Sequence, residues 1–248
     1  MKLSGFFTLI IVFISFHSMA QTNVMIRAKA KDAKFIGTSV GGAKIVVRDA
    51  LTKELLAEGV TSGSTGNTEK IMKEPKARYQ DLSENNTAGY LAKLDIKSPT
   101  FIEVEAYAPI HKRQAIVKST TQLWVIPGKD IMGDGVVLEI PGFIIDILSP
   151  QTHERIPGGV STEIKANIVM MCGCPVEEGG LWNASNFQIK AVVEAEGFFK
   201  EVALQQTEKS STFSGNIDLS KGNYTITVYA FDPKTGNSGV DITNIIIN

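Results

Sequence analysis

The sequence predicts an all-β protein with two β-sandwich domains in tandem after a signal peptide. Short runs rich in β-branched and aromatic residues recur along the chain, and turn residues separate them at intervals of about 8–12 residues. Near Pro141-Gly142 this pattern restarts. We therefore expect a signal peptide at 1–20, a first sandwich at 21–140 and a second at 141–248. A chain of 248 residues is long enough for two ordinary domains.

Residues 1–20 have the three parts of a secretory signal peptide. Lys2 supplies the positive end, residues 6–16 are almost continuously apolar, and Ser18 and Ala20 are the small residues of a cleavage site. The apolar core is too short to span a bilayer comfortably, although an uncleaved anchor stays an alternative. We expect an exported protein, in the periplasm, at the cell surface or outside the cell, with no membrane span in the mature chain.

Composition excludes one class of partner. One of the 25 Lys and Arg residues, Lys2, lies in the leader, so the mature chain carries 24 against 26 Asp and Glu residues, a formal charge of −2. Nucleic acid binding needs a basic face, so no nucleic acid partner is expected. Two cysteines are too few for a disulfide-stapled scaffold, and the cores must come from apolar burial.

Seven strands are predicted in the first half. Residues 90–96 and 101–107 show clear alternation of apolar and polar positions. The other predicted strands are 43–47, 55–60, 115–117, 123–126 and 136–140.

A polar insertion occupies 61–89. Within it, 69–82 has some helical character, but Pro75 interrupts the pattern because proline cannot donate a helical hydrogen bond. We expect a long polar loop, and such loops are often functional or mobile.

The second half predicts an immunoglobulin-like sandwich, because seven strands fall within about a hundred residues. A hairpin turn is expected at 232–237, Asp-Pro-Lys-Thr-Gly-Asn. The predicted strands are 143–148, 163–171, 187–194, 198–204, 211–217, 224–231 and 242–247.

Two stretches resemble known families. Residues 42–49, followed by 51–53 and 56–61, resemble the opening hairpin of the carboxypeptidase regulatory-like (transthyretin-like) domain, from which the insertion departs. Residues 222–232, followed by Gly236-Asn237, resemble the closing strands of bacterial extracellular immunoglobulin-like domains. Both resemblances imply a β-sandwich fold and an extracellular setting, and neither implies a reaction.

The only two cysteines lie in Met170-Met171-Cys172-Gly173-Cys174. In an extended strand Met170, Cys172 and Cys174 would share one face, with Met171 opposite. A thioether and two thiolates on one face are soft ligands of the kind that select Cu(I), with zinc as the alternative. The sequence therefore suggests a soft-metal site at Met170, Cys172 and Cys174.

Two other interpretations of this cluster stay open. In the first, the sulfur residues simply continue the core, since Ile164, Ala166 and Ile168 occupy the same strand face. Alternatively, Cys172 and Cys174 form a disulfide, which an exported compartment favours. Alternate Cα atoms of an extended strand lie about 6.6 Å apart, near the upper limit for a disulfide. The disulfide would therefore need a turn at Gly173. Such a small ring would be strained and open to thiol–disulfide exchange.

Other candidates for a site are weaker. His111 and His153 are the histidines of the mature chain, and His153 belongs to the loop that opens the second half. Trp182 is expected in the core or at its rim, and Trp124, which lies in a predicted strand, is expected in the core. Asp134 supplies too few oxygens for calcium by itself.

The sequence carries no serine nucleophile elbow, Gly-rich phosphate loop or His-Glu-x-x-His helix. We expect a non-enzymatic, exported binding or accessory protein, whose partner is a metal ion such as Cu(I) or another exported or cell-surface protein. The alternatives are a structural or adhesive β-sandwich module with packed or bridged cysteines, and a thiol–disulfide redox partner.

Overall fold

A computed structural model describes residues 21–248, so the predicted signal peptide at 1–20 lies outside the described residues. The described chain is almost entirely β, with four sheets that form two sandwiches. Every named strand pairing joins strands on the same side of residues 141–142. No helix among the described residues is long and apolar enough to cross a membrane.

The first sandwich packs a three-stranded sheet on a four-stranded sheet. The sheet orders are β4-β1-β7 and β3-β2-β5-β6, antiparallel except for the parallel pair β1 and β7. The strands are β1 (Thr22–Ala30), β2 (Lys44–Asp49), β3 (Leu55–Val60), β4 (Tyr90–Leu94), β5 (Thr100–Ala108), β6 (Val117–Val125) and β7 (Ile131–Ile140).

Strand β1 was missing from the sequence prediction, yet it is the central strand of its sheet. Its alternate residues Val24, Ile26, Ala28 and Ala30 are buried, which is the period-2 pattern of a strand. Small alanines and interleaved charged residues weaken that signal in the sequence. The fragments predicted at 115–117 and 123–126 only touch the two ends of the single strand β6: Ala115 belongs to a short 3-10 turn, and the strand runs unbroken from Val117 to Val125.

The insertion at 61–89 is ordered and includes a helix, whereas the sequence predicted a long loop. It contains the short helix α1 (Thr68–Met72), whose first amides are capped by the Asn67 side chain, and it ends before the predicted break at Pro75. Buried Arg27 donates hydrogen bonds to the carbonyl oxygens of Thr87 (2.5 Å) and Ala88 (2.8 Å), and it also reaches Gly133 O at 3.2 Å. One guanidinium therefore fastens the insertion to the first part of β7, at Gly133.

The second sandwich packs the sheets β13-β14-β10-β8 and β12-β11-β15-β16-β9. This is an immunoglobulin-like order, with the first, second and fifth major strands in one sheet and the third, fourth, sixth and seventh in the other. The strands are β8 (Phe143–Ser149), β9 (Glu154–Ile156), β10 (Thr162–Met170), β11 (Gln188–Ala195), β12 (Phe198–Ala203), β13 (Gln205–Gln206), β14 (Thr212–Ile217), β15 (Gly222–Phe231) and β16 (Ser238–Ile247).

A tyrosine at the start of β15 strengthens the immunoglobulin-like description. The Tyr224 hydroxyl donates to the carbonyl oxygen of Ser220 at 3.0 Å, and the ring packs edge-on against Phe198. This is the tyrosine corner, in which the hydroxyl closes the turn that leads into the strand. The predicted hairpin at 232–237 is confirmed, and it joins β15 to β16 in continuous antiparallel register.

Two short strands were not predicted from the sequence, because their pairing is set by the tertiary structure. β9 lies in the predicted connection at 149–159 and pairs in parallel with the end of β16. β13 has only two residues and pairs with β14. Strands of two or three residues carry too little periodicity to be recognised.

Candidate functional site at the joint between the sandwiches

The cysteine segment is a tight turn at the end of β10. Strand β10 ends at Met170, the Gly173 amide donates to Met170 O at 2.7 Å, and the Met170 amide donates to Cys174 O at 3.0 Å. Gly173 adopts φ +76°, the left-handed region that favours glycine. The turn brings the Cα atoms of Cys172 and Cys174 to 5.3 Å, and the two residues are joined by a disulfide.

The predicted shared face of Met170, Cys172 and Cys174 required an extended strand. The structure has a turn there instead. Met171 does not lie opposite the others on an exposed face: Met170, Met171, Cys172 and Cys174 are all buried. The core face predicted for Ile164, Ala166 and Ile168 is confirmed, since all three are fully buried. The turn at Gly173 required by the disulfide interpretation is present.

The cysteine turn packs directly on the first sandwich. A methyl group added at Gly173 would lie 2.6 Å from Val40 Cγ1, closer than any normal contact. Two residues, 141 and 142, separate the sandwiches, and a methyl group at Gly142 would lie 2.6 Å from the carbonyl oxygen of Ser238. Glycine at 142 therefore lets the backbone of β16 approach the linker, and glycine at 173 leaves room for the Val40 side chain.

Trp182 fastens the loop after the cysteine turn to the first sandwich. Its side chain is only 6% exposed, and its indole N–H donates to the carbonyl oxygen of Asp32 at 2.9 Å. The expectation of core or rim packing for Trp182 is confirmed, and the partner of its N–H belongs to the other sandwich. A buried indole N–H needs such a partner.

Asn237 makes the most central polar link of the joint. Its side chain is fully buried, donates from Nδ2 to Lys31 O at 3.1 Å, and accepts from the Gly142 amide at 2.9 Å. The residue closes the β15–β16 hairpin, so a single amide connects that hairpin, the linker and the loop after β1. The Lys31 amide in turn donates to Ile140 O at 2.9 Å.

A second polar contact between the sandwiches involves Asp146 of β8. The loop before β6 places Lys112 Nζ 2.6 Å from Asp146 Oδ2, and Gln114 Nε2 donates to Asp146 Oδ1 at 2.7 Å and to Ile145 O at 3.2 Å. Two sets of polar contacts, at Asn237 and at Asp146, together with a two-residue linker oppose rotation of one sandwich against the other. The buried apolar side chains of both sandwiches accordingly form one continuous cluster.

A groove of about 520 Å³ runs along the joint beside the disulfide. Both sandwiches contribute to its walls, so it exists only while they keep this arrangement. The lining residues are Lys34, Ser39, Gly63, Ser64, Thr65, Thr68, Cys172, Gly173, Cys174, Pro175, Leu181 and Trp182.

Two acidic residues near the joint and the insertion have opposite pKa shifts. Burial raises the pKa of Asp32, and the neighbouring Asp232 raises it further. Burial also raises the pKa of Asp134, but hydrogen bonds from the amides of Leu82 and Ser83 outweigh burial and leave that pKa below its ordinary value. Asp134 therefore stabilises the insertion as a carboxylate, whereas the charge on Asp32 is unfavourable.

The structure leaves the soft-metal hypothesis for Met170, Cys172 and Cys174 as a prediction. A disulfide has no thiolate to offer, so Cu(I) binding requires reduction first. Among residues 21–248 no group of three or more His, Cys, Asp or Glu side chains is arranged to hold a metal ion. His153 lies beyond the Ser149 end of β8, whereas Met170 pairs with Phe143 at the opposite end, so His153 is remote from the cysteine turn.

The predicted burial of Trp124 is wrong. It was expected in the core, but its side chain is 61% exposed and packs only sideways on Phe101 at a ring distance of 5.2 Å. In β6 the alternate residues Leu123 and Val125 face the core, which leaves Trp124 on the outer face of the sheet. His111 contributes to no cluster and packs near Gly41.

The residues that the sequence analysis missed are Lys34, Asp32 and Asn237. Nothing in the local sequence distinguishes a buried interdomain asparagine from an ordinary turn residue. The one available signal was the position of Asn237 at the end of the hairpin that was predicted there.

Comparisons with known proteins show fold likeness only. No protein-family model matches the chain, and no curated protein matches it. An engineered protein of known structure is 14% identical over 47% of this chain, with a TM-score of 0.33, and the chain spans 22% of that protein. Fibronectin(III)-like modules of Clostridium thermocellum CbhA are 11% identical over 94% of this chain and 92% of theirs, with a TM-score of 0.30. An I-band fragment of titin is 14% identical over 93% of this chain and 66% of its own, with a TM-score of 0.27.

Proposed function

We propose that this protein is an exported, non-enzymatic structural or adhesive module that works as one rigid unit of two β-sandwiches. The observation that carries the proposal is the built joint: Trp182, Asn237 and the cysteine turn are buried between the sandwiches and bonded across the linker. A flexible pair of domains needs no such contacts, since interfaces that permit domain motion are typically small and polar.

Two further features support an exported structural role. The signal-peptide pattern at 1–20 predicts export, and the disulfide between Cys172 and Cys174 fits an oxidising compartment. In such a module a rigid joint holds the surfaces of both sandwiches in a fixed orientation toward a partner, which we propose is another exported or cell-surface protein.

Residual dipolar couplings of the mature protein test the joint. We expect the backbone amides of both sandwiches to fit one common alignment tensor. The Trp182→Ala variant should require two tensors, because it removes the interdomain anchor, whereas Trp124→Ala is the matched control and should keep one. Two independent tensors for the wild-type protein would contradict the proposal.

A second candidate, Cu(I) binding for delivery or sequestration, is favoured by the fact that Cys172 and Cys174 line the open groove. Cys172 and Cys174 are 0% and 5% exposed, so after reduction their thiolates would lie in the wall of the groove rather than in open solvent. Anaerobic titration of the reduced protein with Cu(I) against a competing chelator tests this candidate. Binding no tighter than that of a Cys172→Ser/Cys174→Ser double variant would reject it. A thiol redox role predicts in addition that the bridge is reduced by a mild dithiol.

A further inference from the structure

The groove at the joint has one wall of hydroxyl groups and one wall of apolar surface. Ser39, Ser64, Thr65 and Thr68 line the side formed by the first sandwich. Pro175, Leu181 and Trp182 line the opposite side together with the bridged cysteines. A small-molecule site commonly combines an apolar body with a few convergent polar groups, and 520 Å³ lies within the usual volume of such sites.

Lys34 is the single charged side chain of this groove. It is half-buried, and its Nζ donates to the Thr68 hydroxyl at 3.0 Å. Among the ion pairs of residues 21–248, none involves Lys34. Burial lowers the pKa of Lys34, and no carboxylate offsets this effect. A half-buried ammonium group beside open space and hydroxyl donors is a favourable place for an anion.

The insertion is what completes the groove. Residues 63–68 supply four of the lining residues, and their position depends on the anchor from Arg27 to the insertion. The Ser64 amide donates to Asn86 O and the Ala88 amide donates to Ser64 O, so this part of the insertion is held on both sides. The elements that frame the hydroxyl wall are therefore fixed before any ligand arrives, which reduces the ordering cost of binding.

We propose that this groove binds a small organic carboxylate, with the carboxylate on Lys34 and the neighbouring hydroxyls and the apolar part against Pro175 and Leu181. This deepens the proposed function and rests on it, because the groove needs both sandwiches in fixed positions. An acidic sugar and the free C-terminus of a peptide both present this chemistry, and the experiment distinguishes them.

The test is a titration of the ¹⁵N-labelled mature protein followed by amide chemical shifts. The probes are digalacturonic acid against its methyl ester, and the peptide Gly-Gly-Leu against its C-terminal amide. We expect saturable shifts at Ser64, Thr65 and Gly173 with at least one free carboxylate and not with its neutral counterpart. The probe that saturates identifies the source.

Matched variants assign the binding to Lys34. Lys34→Met should weaken binding about 10- to 100-fold, the range expected for one charge-assisted hydrogen bond. Lys97→Met, an exposed lysine outside the groove, should leave affinity unchanged. Thr68→Val should weaken binding about 2- to 10-fold, and it provides an independent result if the lysine variant is misfolded.

Three results would overturn the proposal: no saturation by either acid, equal binding of the neutral counterparts, or equal affinity of the Lys34 and Lys97 variants. Residual dipolar couplings measured on the same samples distinguish failure of the groove proposal from failure of the proposed rigid joint. A common alignment tensor without binding rejects the groove alone, whereas two tensors reject the rigid joint and the groove with it.

Discussion

The surroundings of Trp182 and of Trp124 differ although both residues are large aromatics in β-rich sequence. Trp182 is buried between two sandwiches and its N–H has a carbonyl partner, whereas Trp124 lies on an uncovered sheet face with Phe101 as its neighbour. Burial of an aromatic side chain is therefore decided by which strand face another layer covers. The joint is consequently the region where single substitutions should have large effects, and the outer face is the region where they should not.

Replacement of the two tryptophans should give the largest contrast. Trp182→Ala should lower the free energy of unfolding by about 3–5 kcal/mol, since it removes a buried aromatic and leaves the Asp32 carbonyl without its donor. Trp124→Ala should cost about 0.5–1 kcal/mol, because only its ring contact with Phe101 is lost. Chemical denaturation followed by circular dichroism measures both values, and similar losses would refute the contrast.

Asn237 should give the next largest effect. Asn237→Ala leaves the Gly142 amide and the Lys31 carbonyl unpaired in a buried place, at an expected cost of about 2–3 kcal/mol. Asn223→Ala, near the opposite end of the second sandwich, is the control and should change stability by less than about 0.5 kcal/mol. Hydrogen exchange at Gly142 checks the mechanism, since faster exchange there should accompany the loss.

The disulfide should contribute less than the packing around it. A bridge between residues two positions apart closes a very small loop, and the chain-entropy relation gives about 1.6 kcal/mol. Reduction of the wild-type protein and the Cys172→Ala/Cys174→Ala variant should therefore cost similar amounts; alanine avoids burial of new hydroxyls. A loss above about 4 kcal/mol would show that the bridge, rather than the packing of the turn, holds the joint.

Two carboxyl groups should give the smallest effects, with opposite signs. The folded-state pKa of Asp134 is lowered, so its contribution is present above the unfolded value of about 3.9 and is lost as the pH falls through the folded value. The pKa of Asp32 is raised, so its penalty is absent below about pH 3.9 and complete once the pH exceeds the folded value.

Denaturation of matched asparagine variants checks these signs. At pH 7 Asp134→Asn should destabilise the protein by about 1 kcal/mol, whereas Asp32→Asn should stabilise it by a few tenths of a kcal/mol, since solvent screens a partly exposed group. At about pH 3 the effect of Asp32→Asn should be nearly absent, whereas the effect of Asp134→Asn should shrink only as the pH falls further, through the lowered folded-state pKa of Asp134. Asparagine tolerates the left-handed conformation of Asp32, φ 54°, so the backbone is not the cause of any change. Equal signs at pH 7 would contradict the assignment.

The cysteine turn shows how far sequence reasoning reaches at a site. The sequence predicted the position of the two cysteines, on either side of a glycine at the end of a strand. It also predicted that a disulfide between them would need a turn at Gly173. The sequence did not predict whether residues 170–174 form a strand or a turn. That choice depends on the hydrogen bonds of Met170 to the turn and on the packing of Gly173 against Val40. The same holds for β1, whose alternation became recognisable only once its neighbours β4 and β7 were known.

The sequence by itself determined the β class, the restart near residue 141, the hairpin at 232–237 and the place of the sulfur cluster, because these depend on local periodicity and turn chemistry. Only the tertiary structure decided that the cysteine turn, Trp182 and Asn237 meet the first sandwich and that the insertion completes a groove beside Lys34. The physical reason is that strand alternation defines two faces for each sheet, whereas the layer or loop that covers each face comes from residues far away in the chain.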